Sequence, residues 1–334
     1  MQKEISRKIW QAPWGYPESF AIVGGILFIG VILQLVIGGF DFYLLVSPSN
    51  LIVGAVIALL SVVFGVRARK SGFAKWLSGA ALCVALLSAI LLLTIIMGLI
   101  PQMTHSITPL GFEAMTSNWA FVILYTLLLV SLGALIIRRL TSRFIFRNVS
   151  FALNHIGLWL LLFSSGLGYA DIERYIMYVN EGETEWRVYN SQGDIKELPI
   201  AITLNDFSME FYPSRMVMVD TETGEIQNGD TTLLSGNDRY RSVMTVPEPR
   251  SFTSDVDVYT EEGEAISALI EVNSPLKVGS WWVYQYGYDN NAGNRSSYSS
   301  FELVYDGWLT PVYIGIILMM LGSVAMLWSG RDNS

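Results

Sequence analysis

The chain has 334 residues, 52% of them hydrophobic and only 15% charged, with a mean hydropathy of +0.43 and a formal net charge of −8. That balance excludes a single water-soluble domain of this length. The only cysteine, Cys83, excludes a disulfide framework, a C-x-x-C redox pair, a C-x-x-C-H haem-attachment motif and a cysteine zinc site.

Six runs approach the roughly 20 apolar residues needed to cross hydrocarbon as a helix. They are residues 20–40, 50–66, 77–99, 119–137, 150–169 and 310–329, and none carries a charge in its middle. The pattern predicts a polytopic α-helical membrane protein with six spans. The first span is too long for a removable signal peptide and lacks a small-residue cleavage site, so it reads as a retained anchor.

Flanking charge predicts the orientation. Lys3, Arg7 and Lys8 precede the first span; Arg67, Arg69, Lys70 and Lys75 link the second and third; Arg138, Arg139, Arg143 and Arg147 link the fourth and fifth; Arg331 follows the sixth. Loops 41–49 and 100–118 contain no Lys or Arg. By the positive-inside bias both termini are cytoplasmic, and residues 170–309, between spans five and six, form an external domain of a multi-pass protein. The expected domains are therefore 1–169, 170–309, and 310–334 with the last span and a short tail.

The external segment is chemically distinct from the rest. Residues 171–308 hold 24 acidic against 9 basic side chains, and the remainder 5 against 12, so the net charge joins two halves of opposite sign. An acidic surface argues against nucleic acid or anionic lipid as a ligand; it is compatible with a basic protein partner or with a simply solvated face. Period-two alternation in "RYIMYV", "PIAITLNDFSMEFY", "DVDVYTEEGEAISALIEV" and "SWWVYQYGY" predicts an all-β domain, a sandwich or open barrel. "TETGE" and "TEEGE" read as hairpin turns that place Gly224 and Gly263 at positive φ.

In "SWWVYQYGY", alternation puts Trp282, Tyr284, Tyr286 and Tyr288 on one strand face and Trp281, Val283, Gln285 and Gly287 on the other. Two readings stay open: a central strand packed on both faces or seated on membrane headgroups, or an aromatic docking surface for a flat hydrophobic cofactor or a partner protein, with Trp282, Tyr284 and Tyr286 as the partner-binding residues.

There are two histidines. His155 falls inside the fifth span, with Phe151 and Trp159 at i−4 and i+4, so an imidazole sits between two aromatics on one stripe. Such a group either bonds a neighbouring helix or ligates haem iron, for which aromatic walls are suited. One histidine cannot complete a bis-histidine site, so a second axial ligand would come from another chain. His105, in the loop after the third span, is a loop polar residue, a ligand or a proton donor. Gly157, Ser164, Ser165, Gly166 and Gly168 offer close-packing faces.

Several segments together, "LPIAITLNDFSMEFYPS", "PRSFTSDVDV", "IEVNSPLKVGSWWVYQYGYD" and "NHIGLWLLLFSSGLG", resemble the ResB-like (CcsB-type) family of system II cytochrome c biogenesis. "QAPWGYPESF" and "SNWAFVILYTLLL" are similar to the membrane region of the Bacteroidetes-type variant, so that the resemblance extends over most of the chain. It implies a subunit of a cytochrome c haem lyase in the bacterial inner (plasma) membrane, with the large domain periplasmic, that is not catalytic alone. Such a subunit carries haem b across the membrane, shared with a CcsA-type partner, and presents it to apocytochrome c. His155 maps to the family's intramembrane haem ligand, with Phe151 and Trp159 as haem contacts. The chain departs from the family in having six spans rather than four and a smaller external domain, and it lacks the partner's "WWD" signature. The alternative is a scaffold subunit that binds no haem and recruits a partner through the external domain.

Overall fold

The computed structural model describes residues 10–103, 108–141, 146–227, 240–244 and 248–330. His105 lies outside the described residues. The chain divides into two compact units, Met1–Asp171 with Gly307–Ser334, and Ile172–Asp306.

Each of the six apolar runs is a helix long and apolar enough to span a membrane. They are α1 (Tyr16–Ile37), α2 (Ser49–Arg67), α4 (Ala80–Leu99), α5 (Trp119–Leu140), α6 (Phe146–Gly168) and α7 (Leu309–Gly330). The third span begins at Ala80 because residues 72–77 form a separate short helix, α3 (Gly72–Leu77). Ser71 caps α3 by accepting the Ala74 N–H, and Arg138 donates to the carbonyls of Lys75 and Ser78 at its other end, both at 3.3 Å.

The helical core lies among α1, α4 and α5, where Val23, Leu82, Ala85, Leu86, Leu124 and Leu129 are buried in one cluster. Two polar bonds fix α3 to it: the Trp76 indole donates to Ser19 Oγ at 2.9 Å, and Ser131 Oγ donates to the Leu77 carbonyl at 2.7 Å. The outward faces remain apolar, with Val36 74% and Leu327 79% exposed, as contact with lipid requires.

Helices α6 and α7 meet along a seam of small residues. A Cβ at Gly157 would overlap the backbone of Met319, and one at Gly322 the backbone of Asn154. Close approach lets Asn154 Nδ2 donate to the Met319 carbonyl at 2.9 Å and to Ser323 Oγ at 2.7 Å. Among the other small residues of α6, Gly166 lies against Tyr125 of α5, Gly168 against Trp308, Ser164 is buried and Ser165 is exposed.

The second unit lies between the fifth and sixth spans and is all-β apart from one 3-10 turn among the described residues. Its strands are β1 (Glu173–Asn180), β2 (Thr184–Tyr189), β3 (Ile195–Phe211), β4 (Met216–Asp220), β5 (Ile226–Gln227), β6 (Tyr240–Met244), β7 (Pro249–Thr260), β8 (Ala265–Glu271), β9 (Leu276–Val278), β10 (Trp281–Tyr288) and β11 (Tyr298–Tyr305). Eight of them form one antiparallel sheet in the order β8-β7-β3-β2-β1-β11-β10-β9; β5, β4 and β6 form a small second sheet. Of the two arrangements open to the sequence, the large sheet takes the open-barrel form. Its first and last strands, β8 and β9, are joined by the "VNSPL" turn, in which Glu271 bridges Ser274 and Asn273 has φ +65°, so the sheet curls back on itself. The hairpin glycines have positive φ as expected, +74° at Gly224 and +83° at Gly263.

Bulges make the curl possible. Against β7, β3 shifts register between Leu204 and Asp206, so the inward series Leu198, Ile200, Ile202, Leu204 resumes at Phe207. In β10 the shift falls between Gln285 and Gly287. The enclosed core gathers Met177, Val179, Ile202, Val258, Ile270, Val283, Phe301 and Leu303, each fully buried.

Candidate functional site

His155 lies in the third turn of α6, half-buried. Its Nδ1 is 2.8 Å from the carbonyl oxygen of Phe151, and the two rings stack with centroids 3.7 Å apart and planes 24° apart. An imidazole that donates from Nδ1 to a backbone carbonyl is held in one tautomer and keeps its lone pair on Nε2, the arrangement in which histidine ligates a metal. A neutral imidazole of this kind has the chemistry of one axial ligand to a haem iron. No cluster of three or more His, Cys, Asp or Glu side chains placed to hold a metal ion occurs among the described residues.

Phe151 carries a further neighbour. The guanidinium carbon of Arg139, near the C-terminal end of α5, lies 4.9 Å from its ring centroid. In sequence Arg139 is one of four cations flanking a linker, and only the antiparallel return of α6 places it over this ring. Its neighbour Arg138 turns instead to the carbonyls ending α3.

Trp159 shares the helical stripe but turns to the helix core. Its Nε1 donates to the Leu129 carbonyl of α5 at 2.9 Å, and its ring stacks on Phe163 at 4.4 Å. The structure thus brings Phe151 and His155 together with Arg139, and directs Trp159 into packing against α5.

The aromatic strand lies in the other unit. The bulge in β10 changes the expected alternation at one position: Tyr288 is paired with the inward Ser299 and packs on the core side, 5.4 Å from Phe207 and 5.0 Å from Phe252. Trp281 and Val283 face inward, Trp281 against Tyr175 and Tyr305. Gln285 closes a buried polar triangle, accepting from Ser254 Oγ at 2.7 Å and donating to Ser299 Oγ at 2.6 Å, while the two hydroxyls lie 2.8 Å apart. Tyr284 and Tyr286 are exposed, and Trp282 is half-buried with Lys277 over its ring at 5.5 Å. Nearby strands add Tyr178, 5.8 Å from Tyr189 and 6.3 Å from Tyr298. The strand is therefore both core and surface, divided by its alternation, with the bulge turning Tyr288 inward.

Comparison with known proteins bears on the segment that holds both features. No curated protein matches the chain. A solved structure titled "Cytochrome c Heme Lyase CcmF" aligns at 14% identity with a TM-score of 0.38, over 95% of this chain and 46% of that one, so the chain spans about half its length. Residues 142–297 match the ResB-like family. This stretch takes in α6 and the β-unit as far as the start of β11, but not α1–α5 or α7; the "QAPWGYPESF" and "SNWAFVILYTLLL" segments lie outside it. The chain thus carries a ResB-like family domain over part of its length, with His155 inside it.

Proposed function

We propose that this chain is a haem-handling membrane subunit of cytochrome c biogenesis. In this reading it works with a CcsA-type partner to move haem b across the membrane and present it to apocytochrome c. The observation that carries the proposal is the imidazole of His155, inside the ResB-like segment, tied through Nδ1 to the Phe151 carbonyl so that Nε2 holds the lone pair. Haem, when bound, supplies the vinyl groups that become thioethers. The chain's residues need only ligate one face of the iron, orient the ring and exclude water, and the second axial ligand belongs to the partner. The β-unit is periplasmic and both ends of the chain are cytoplasmic, following the Lys and Arg distribution of the loops.

The test is co-expression with the CcsA-type partner, purification in detergent and reduced-minus-oxidised spectra. A six-coordinate haem signal is expected in the assembled complex and lost in His155→Ala. Undiminished haem in the variant would remove His155 as a ligand. The outward aromatic row of Tyr178, Tyr284 and Tyr286 favours a second reading, a scaffold that recruits its partner through the β-unit without binding haem. That reading is supported if an intact complex contains no haem at all.

A further inference from the structure

We infer that Arg139 is a second cofactor-binding residue, taking a carboxylate of the tetrapyrrole whose iron His155 ligates. The inference rests on the haem reading of His155. Its basis is a three-layer stack at one end of α5 and α6: the Arg139 guanidinium 4.9 Å from the Phe151 ring, and that ring 3.7 Å from the imidazole. The two distances place the guanidinium carbon within about 9 Å of the imidazole centre. A haem bound at its iron carries two propionates on flexible arms at the rim of the macrocycle, which reach outward over a span of this order.

The chemistry suits the residue. Stacking uses the face of a guanidinium, whereas carboxylates are taken on its edge, in plane, by two parallel N–H groups. Lysine offers no such fork. Arg139 is exposed and sits at the end of its helix, where a cation is cheap to hold and where a propionate would meet water. Apolar macrocycle inside the bundle and charged rim at its end is also the orientation that a membrane imposes on an amphiphilic ring.

The experiment titrates the detergent-purified complex of this chain with its CcsA-type partner, stripped of haem, with ferric haem b and with its dimethyl ester, read by Soret absorption. Wild type is expected to bind the free acid roughly ten- to hundredfold tighter than the ester, the worth of a charge-assisted pair. Arg139→Gln is expected to bind both equally and at the wild-type affinity for the ester, and Arg139→Lys to recover part of the preference. A preference for the free acid that survives in Arg139→Gln overturns the inference, as does an equal loss for both ligands, which would mark a packing role. A spectrum unchanged in His155→Ala, or no binding by wild type, instead overturns the haem reading on which the inference stands.

Discussion

The carboxylate of Asp171, where the chain leaves the helical unit, accepts the indole N–H of Trp308, where it returns, at 2.8 Å. The same carboxylate accepts the Ser47 backbone N–H at 2.8 Å and Asn50 Nδ2 at 2.6 Å, so one acid ties together the start of α2 and the two chain crossings. Trp308→Phe removes one of three donors and is expected to lower the unfolding free energy by about 1–2 kcal/mol. Combined with Asp171→Ala, the loss should fall short of the sum of the single losses, because both variants break the same bond. Strictly additive melting data would show that the bond is not part of the folded state in solution.

The seam between α6 and α7 predicts a contrast of sign. Gly24 on α1 has open space where a methyl would go, so Gly24→Ala should stabilise its helix by up to about 1 kcal/mol through backbone propensity. Gly157→Ala gains the same propensity but drives a methyl into the backbone of α7 and should be destabilising. Hydrogen exchange should then rise in α6 and α7 together. Similar behaviour of the two variants would mean that α7 does not pack against α6 this closely.

Alternation along β10 separates two neighbouring residues by environment. Gln285→Leu leaves the Ser254 and Ser299 hydroxyls short of a partner inside the barrel and is expected to cost about 1–3 kcal/mol. Tyr286→Ala, at 59% exposure, should change stability by no more than about 0.5 kcal/mol. Tyr286→Ala also reports on docking: loss of partner association at unchanged stability would assign the outer aromatic row to an interface. A large stability loss would place Tyr286 in the core.

Acid should weaken the β-unit. Hydrogen bonds from Arg187 hold the Glu185 carboxyl down to about 2, against an ordinary value of 4.5. Glu173 is also lowered: partial burial pushes it up, but bonds from Lys196 and Tyr175 pull it down further. A carboxyl whose folded pKa is depressed contributes stability that is fully present above its unfolded value and is lost as pH falls through the folded one. Thermal stability of the β-unit should therefore decline as pH drops from about 4.5 toward about 2. The slope should be shallower in Glu185→Gln. An identical slope in that variant would show that the Arg187 pair is not formed.

Six spans were legible in the sequence because crossing hydrocarbon is a one-dimensional requirement of length and apolarity, which a run of residues states by itself. The all-β character of the second unit, and positive φ at Gly224 and Gly263, follow equally from local alternation and turn chemistry. The tertiary structure decided what depends on a partner distant in the chain. Whether Tyr288 faces in or out is set by a register shift against β11, which no alternation within β10 reveals. Trp159 leaves the stripe of His155 because the Leu129 carbonyl of α5 accepts its indole N–H. Arg139 reads as one flanking charge until the return of α6 lays Phe151 beneath it. Local sequence fixes what a segment can be; which of its faces meets which neighbour is settled only when separate segments pack, since that choice belongs to the pair and not to either member.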